Sequence, residues 1–394
     1  MFNKALLALV AASLLAVQVS AQEADRSERF KEMSANAEAK GLAEAFRGIA
    51  IDGEIQEGLF PIHSTGVSTA PVQEAADAFI AMLTSDQQAR TQYPVDDPEW
   101  RKWMNQHFYV RQGVSFKEMN AAQREAAFAM LGAALSARGL QLSQDIMRLD
   151  HTLGELNDGN FEEYGQWLYS ITIMGEPSAT EPWGWQLEGH HLIVNYFVLG
   201  DQVVMSPAFF GSEPIRAEAG KFAGTEILQD EQDLGLAFMQ SLTEEQQETA
   251  TLTSEKDGNF NLGEAFKDNI DIDLTGLPGS ELSDAQRSDL LALISQFVGN
   301  MNDGHAAVKM REVSEHIDDT RFTWAGETGD GAVFYYRILS PVILIEFDHQ
   351  RPANLRHIYP PVPNRQHIHT VIRTPNGNDY GKDLLRQHYE LHEH

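Results

Sequence analysis

An α+β fold is predicted, with capped helices covering mostly antiparallel strands in two related halves packed as one compact unit. Three observations carry that reading. Thr84-Ser85-Asp86-Gln87, Asn120-Ala121-Ala122-Gln123, Thr243-Glu244-Glu245-Gln246 and Ser283-Asp284-Ala285-Gln286 each set a capping side chain three residues before a Gln, behind an apolar residue. This pattern starts a helix by satisfying two orphan backbone amides reciprocally. Residues 169–199 and 320–350 each open with a β-rich run ending in Gly-Glu and continue into an aromatic strand. Within them "WQLEGHHLIVNYF" and "YRILSPVILIEFD" align without a gap at an offset of 151 residues. Recurring caps and aligned strands together predict an internal duplication.

The elements follow in order. Residues 22–48 read as a polar helix, and "GIAIDGEIQEGLFPI" alternates like a strand. Apolar residues recur at helical spacing over 115–137 and 283–300, with Gly139 and Gly299 as helix stops. Second helices are expected over 139–156 and 303–316. The Gly- and Asp-rich stretch 252–280 reads as an irregular connection. The halves divide near 215–225, giving 22–220 with the Gly-His-His strand and 221–394 with the His-x-His segment. Aligned on the strands, the first half has no counterpart to residues 365–389.

Composition bounds the function. The chain has 394 residues. Lys4, the apolar run Ala5–Val17 and the small residues Val19-Ser20-Ala21 form a signal peptide over residues 1–21, cleaved before Gln22. A secreted or periplasmic protein without stable membrane insertion after cleavage is expected. Losing Lys4 leaves 28 basic against 58 acidic side chains, which argues against nucleic acid and anionic membranes as partners. There is no cysteine, so any metal site must use His, Asp, Glu, Asn or water.

Chemistry concentrates in a few places. His367 and His369 share a strand face about 7 Å apart, a spacing that suits two ligands of one ion. Val371 and Arg373 lie on that face as well. A bland polar face is the alternative, but Lys or Glu would serve mere solvation better. His190 and His191 are adjacent and on a regular strand point to opposite faces, so at most one enters a shared site unless Gly189 makes a bulge. A buried histidine bonded to the sheet fits either one equally well. Glu346 stands inside "VILIEFD", where a carboxylate must be paired or ligating. It serves as general base or fourth ligand, or pairs with Arg337 across a hairpin. Trp183, Trp185, Trp324 and Tyr336 are read as aromatic walls of a pocket. Pro375-Asn376-Gly377 predicts a turn, after which Asn378 or Asp379 caps a helix. Arg373 pairs with Asp383 or holds an anionic substrate. The sequence lacks any nucleophile-elbow, zincin or phosphate-loop motif.

"GWQLEGHHLIVNY", "FTWAG", "YYRILSPVILIEFD" and "HIHTVIRTPNGNDYGKDLLRQHY" resemble the signature segments of the bacterial and fungal family of domain of unknown function 3500. The resemblance covers most of the mature chain. It implies common architecture and no mechanism, so no catalytic residue carries over from it.

Two functions are expected as alternatives. One is a secreted metal-dependent hydrolase with a His-rich pocket between the halves. There His367 and His369, with His190 or His191, supply ligands to a divalent, zinc-like ion, and Glu346, Arg373 and Asp379 act on a small-molecule substrate. The other is a secreted protein that binds a small ligand through Trp183, Trp185, Tyr336, Arg337 and Asn378 without turnover. Residues 365–389 close the principal pocket in either case.

Overall fold

A computed structural model describes residues 26–392. The expected signal peptide and its cleavage site lie outside them. Residues 26–41 form a helix; with residues 42–45 and Phe108–Val110 it makes a small unit of its own, in which the Tyr109 hydroxyl donates to Glu38 at 2.9 Å. The remaining chain forms the larger unit.

From residue 70 the larger unit runs through α1 (Ala70–Met82), α2 (Ser85–Thr91), β1 (Gln92–Tyr93), β2 (Val114–Ser115), α3 (Ala121–Ala134), α4 (Ala137–Leu156), β3 (Tyr169–Met174), β4 (Trp183–Gly189), β5 (Leu192–Leu199) and β6 (Ala208–Ser212). From residue 229 it runs through α5 (Gln229–Ser241), α6 (Glu244–Ala250), β7 (Thr251–Thr253), β8 (Leu277–Pro278), α7 (Asp284–Val298), α8 (Asp303–Glu315), β9 (Arg321–Gly326), β10 (Phe334–Leu339), β11 (Leu344–His349) and β12 (Ile368–Arg373). Helix α9 (Lys382–Leu391) closes the chain. The fold is mixed α+β, built on one sheet of thirteen strands among the described residues. Its main path is β8-β9-β10-β11-β12-β6-β5-β4-β3-β1. Antiparallel pairs dominate; β1 with β3 and β7 with β9 are parallel.

All four capping boxes form, with side chain and amide bonded both ways. Their glutamines also meet in pairs. The Gln123 side-chain amide donates to Gln87 at 2.7 Å, and that of Gln286 to Gln246 at 2.8 Å. Gly299 ends α7 as read, but Gly139 does not stop a helix. It lies in the first turn of α4, where a Cβ would come within 2.2 Å of the Asn300 carbonyl oxygen. Close packing, not termination, requires that glycine. Of the alternating stretch after residue 48 only Ala50–Ile51 pairs as a strand.

Strand β12 corrects a further expectation. It is not an appendage to the sheet: β12 lies beside β11, β6 lies beside β5, and β12 and β6 pair with each other at the centre of the sheet. That pairing makes one continuous sheet from both stretches and places the start of β12 next to the β4–β5 turn.

The two faces differ. Register puts Trp324, Tyr336, Phe347 and Thr370 in one cross-strand row facing the helices. The adjacent row holds Tyr335, Asp348, His369 and Gly211, and the next holds Arg337, Glu346, Val371 and Phe209. These face the irregular segment 254–270, whose amides bond to the sheet's carboxylates. Phe260 N donates to Asp348 at 2.8 Å and Gly263 N to Glu346 at 2.7 Å.

Candidate metal centre

Strands β4 and β5 pair up to Gly189 and Leu192, so His190 and His191 are the two residues of the hairpin turn. Strand alternation therefore does not govern them. His191 takes a left-handed conformation with φ 60°, uncommon for a residue with a Cβ. Its backbone is pinned on both sides: its N–H donates to the Asn105 carbonyl at 3.1 Å, and its carbonyl accepts from Gly211 N at 2.9 Å. The imidazole is thereby aimed at the start of β12. Its Nε2 lies 3.2 Å from His367 Nε2 and 3.2 Å from His369 Nε2, and the latter two are 2.9 Å apart. All three side chains are buried. Among the described residues this is the one group of three imidazole, thiolate or carboxylate ligands that converge on a point.

Protonation makes the convergence meaningful. His367 Nδ1 lies 2.7 Å from the Arg351 carbonyl oxygen, which only accepts, so Nδ1 carries the hydrogen and Nε2 a bare lone pair. His369 Nδ1 lies 2.6 Å from Glu264 Oε1. Burial holds His367 and His369 neutral, pushing both down to about 3, with their mutual proximity adding to the effect on His367. Burial likewise pushes His191 well down. With His367 Nε2 bare, hydrogens on the other two can bridge at most two of the three short edges. One cation bridges all three. Nitrogens about 2.0–2.1 Å from a common ion, at angles near 90–105°, stand about 2.9–3.2 Å apart. The residues fit a metal ion on this ground.

The surroundings are those that orient metal ligands. Desolvation pushes the Glu264 carboxyl up to about 7. A cation on His369 Nε2 would favour the Nδ1–H to carboxylate form, so ion and carboxylate reinforce each other. Glu213 stands 3.9 Å from His367 Nδ1 and accepts the backbone amides of Ala353, Asn354 and Leu355. Phe209 packs edge-on against His369. His190 is not one of the converging three. Its ring stacks on His191 with centroids 4.0 Å apart, and its Nδ1 bonds Asp150 Oδ1 at 2.7 Å. Burial pushes Asp150 up to about 7.

Several residues singled out in the sequence lie elsewhere. Arg337 and Glu346 are cross-strand partners without a direct ion pair. Glu346 accepts the Tyr335 hydroxyl at 2.7 Å and the Leu262 and Gly263 amides, while Arg337 donates to Thr275 Oγ1 at 2.9 Å. Burial pushes Glu346 up, against the effect of those bonds. Arg373 pairs not with Asp383 but with Asp379 at 2.8 Å and Asp268 at 2.7 Å, fully buried. Asp379 is thus an ion-pair partner and not a helix cap; Gly381 precedes α9. Trp183, Trp185, Trp324 and Tyr336 are wholly buried and belong to the core, not to a pocket wall. Asn378 lines a cleft. Glu264, Glu213 and Asp150 were not legible in the sequence, because each acquires its role from a partner at least 40 residues away.

Among the described residues no helix is long and apolar enough to cross a membrane. No curated protein and no solved structure matches the chain. The family model described as "Protein of unknown function (DUF3500)" matches residues 65–382, most of the chain, and the chain belongs to that family.

Proposed function

We propose that the protein is a secreted metal-dependent hydrolase whose divalent, zinc-like ion is held by His191, His367 and His369. The carrying observation is the triangle of buried imidazole nitrogens 2.9–3.2 Å apart, at least one of them a bare lone pair. An all-imidazole donor set suits zinc, copper, nickel or iron and disfavours magnesium and calcium, which prefer oxygen. Three protein ligands leave coordination sites for water and substrate, as in catalytic zinc centres, where the ion lowers the pKa of bound water. Glu264 orients His369. Glu346, whose oxygens already accept Tyr335 and loop amides, anchors the covering segment instead of acting as base.

The burial of all three histidines favours a second reading, a bound metal that recruits a small ligand without turnover. Elemental analysis of protein purified without chelators or an affinity tag tests the metal itself. One ion per chain is expected, and a chain that stays metal-free after zinc loading and dialysis overturns both readings. Cobalt substitution then separates them. Hydrolase chemistry requires azide to perturb the visible spectrum and the cobalt form to cleave a model ester such as p-nitrophenyl acetate; binding without turnover requires the first alone.

The repeated element order and the paired capping glutamines support descent of 22–220 and 221–394 from one duplicated unit. The metal would then join the halves, with His191 from the first and His367 and His369 from the second. The leader over 1–21 supports a periplasmic or extracellular location, tested by N-terminal sequencing of exported protein, which is expected to begin at Gln22.

A further inference from the structure

A second site lies at the far end of β12. Thr374 stands five residues beyond His369, roughly 17 Å along the strand at about 3.4 Å per residue, and on the alternate, helix-facing side. Here a cleft of about 410 Å³ opens between Phe60, Val203, Val204 and α8. It continues into a recess of about 50 Å³ walled by Met205, Phe297, Met301, Ile343 and Ile372. Phe60, Val203, Val204, Lys309, Glu312 and Asn378 line both parts.

Inward of the rim, where Lys309 and Glu312 line both parts, the recess is apolar except where three buried polar side chains meet it. Ser206, Thr374 and Asn378 are 2%, 4% and 2% exposed. Ser206 Oγ and Thr374 Oγ1 lie 2.6 Å apart. Two hydroxyls bonded to one another use one hydrogen between them, so the pair keeps a second hydrogen and spare lone pairs. The charges at the rim do not ask for a charged ligand. Lys309 Nζ is held by the Val342 carbonyl at 2.8 Å and by Glu312 at 3.2 Å. Apolar walls with a few convergent polar groups are the ordinary make-up of a small-molecule pocket.

We propose that this cavity binds a small neutral organic molecule with an apolar body in the recess and one hydrogen-bonding end on the Ser206–Thr374 hydroxyl pair. The site is separate from the metal centre and does not depend on the hydrolase reading.

The test is a ligand-observed NMR titration of the full-length protein with p-cresol, toluene and 4-methylbenzoate. These share one ring and differ in carrying a neutral hydroxyl, no polar end, or a charge. Saturable binding of p-cresol is expected, about tenfold tighter than either of the others, the contrast that one hydrogen bond supplies. Val204→Trp, at a half-buried rim position, is expected to weaken p-cresol by about tenfold or more with metal content, far-ultraviolet circular dichroism and the cooperative thermal transition unchanged. Ser206→Ala with Thr374→Val is expected to erase the preference for p-cresol over toluene. Absence of saturable p-cresol binding overturns the proposal, as does binding undiminished in a folded Val204→Trp protein. Toluene binding as tightly as p-cresol removes the polar end, and 4-methylbenzoate binding tightest refutes a neutral ligand.

Discussion

On the helix-covered face of the sheet, Tyr336 stacks between Trp324 and Phe347 with rings 8° and 3° from parallel. One residue along the same strands, on the loop-covered face, stand Arg337, Glu346 and Asp348, fully or nearly fully buried. The strands are the same, and so is the burial; the covering differs. A helix already uses its interior amides, so it offers a sheet only side chains. The irregular segment 254–270 has unpaired amides, and it gives them to Glu346 and Asp348. The carboxylates that these strands bury, Glu346 and Asp348, therefore lie on the loop-covered face. The contrast teaches that a loop without regular structure can be the element that makes a polar site stable.

The sharpest way to break this comparison is at Arg373. Arg373→Met leaves Asp379 buried without its counter-charge and Asp268 with Arg101 as its remaining one, and is expected to cost about 3–5 kcal/mol. Tyr336→Phe, on the other face, loses one hydrogen bond to the Glu231 carbonyl and is expected to cost about 1 kcal/mol. Urea denaturation of both variants reads the difference, and equal costs would mean that charge does not organise the loop face.

Metal removal comes next. An ion present at about a hundredfold above its Kd stabilises the folded chain by about 2.7 kcal/mol. Chelation should lower the thermal midpoint of the wild type and leave His367→Ala/His369→Ala unchanged. The double variant should also cost more in the chelated state than partly exposed polar groups would, because both rings are buried. A wild-type midpoint insensitive to chelator at every metal load argues for histidines that serve packing only.

On the helix side, Ser283→Ala removes one capping box and is expected to cost about 1 kcal/mol by the same denaturation assay. An unchanged midpoint would show that tertiary packing alone holds α7.

The smallest effect is a pH dependence. Burial raises the Glu346 pKa above its ordinary 4.5 in the folded state, so the folded chain holds this proton longer than the unfolded one. The stability contributed by the protonated form is complete below 4.5 and is lost as pH rises to the raised value. Wild-type stability minus that of Glu346→Gln should therefore fall with pH across that window. A rising difference would mean that the loop amides outweigh burial and hold the carboxylate as an anion.

By itself the sequence determined what depends on near neighbours. Capping boxes act within four residues, so all four helix starts were legible at Thr84, Asn120, Thr243 and Ser283. Strand alternation has period two, so His367, His369, Val371 and Arg373 were placed on one face correctly. The lack of cysteine excluded thiolate from any metal site. Tertiary structure decided the rest. His191 joined the site instead of His190 because the pair forms a turn, which no strand rule describes. Arg373 took Asp268 and Asp379, and the tryptophans went to the core, because register and helix packing chose their surroundings. His191 meets His369 across 178 residues, and Glu264 meets it across 105. The first contact arises from the pairing of β6 with β12 and the second from the segment 254–270 laid over the sheet, and no local pattern of side chains records which segments will lie together.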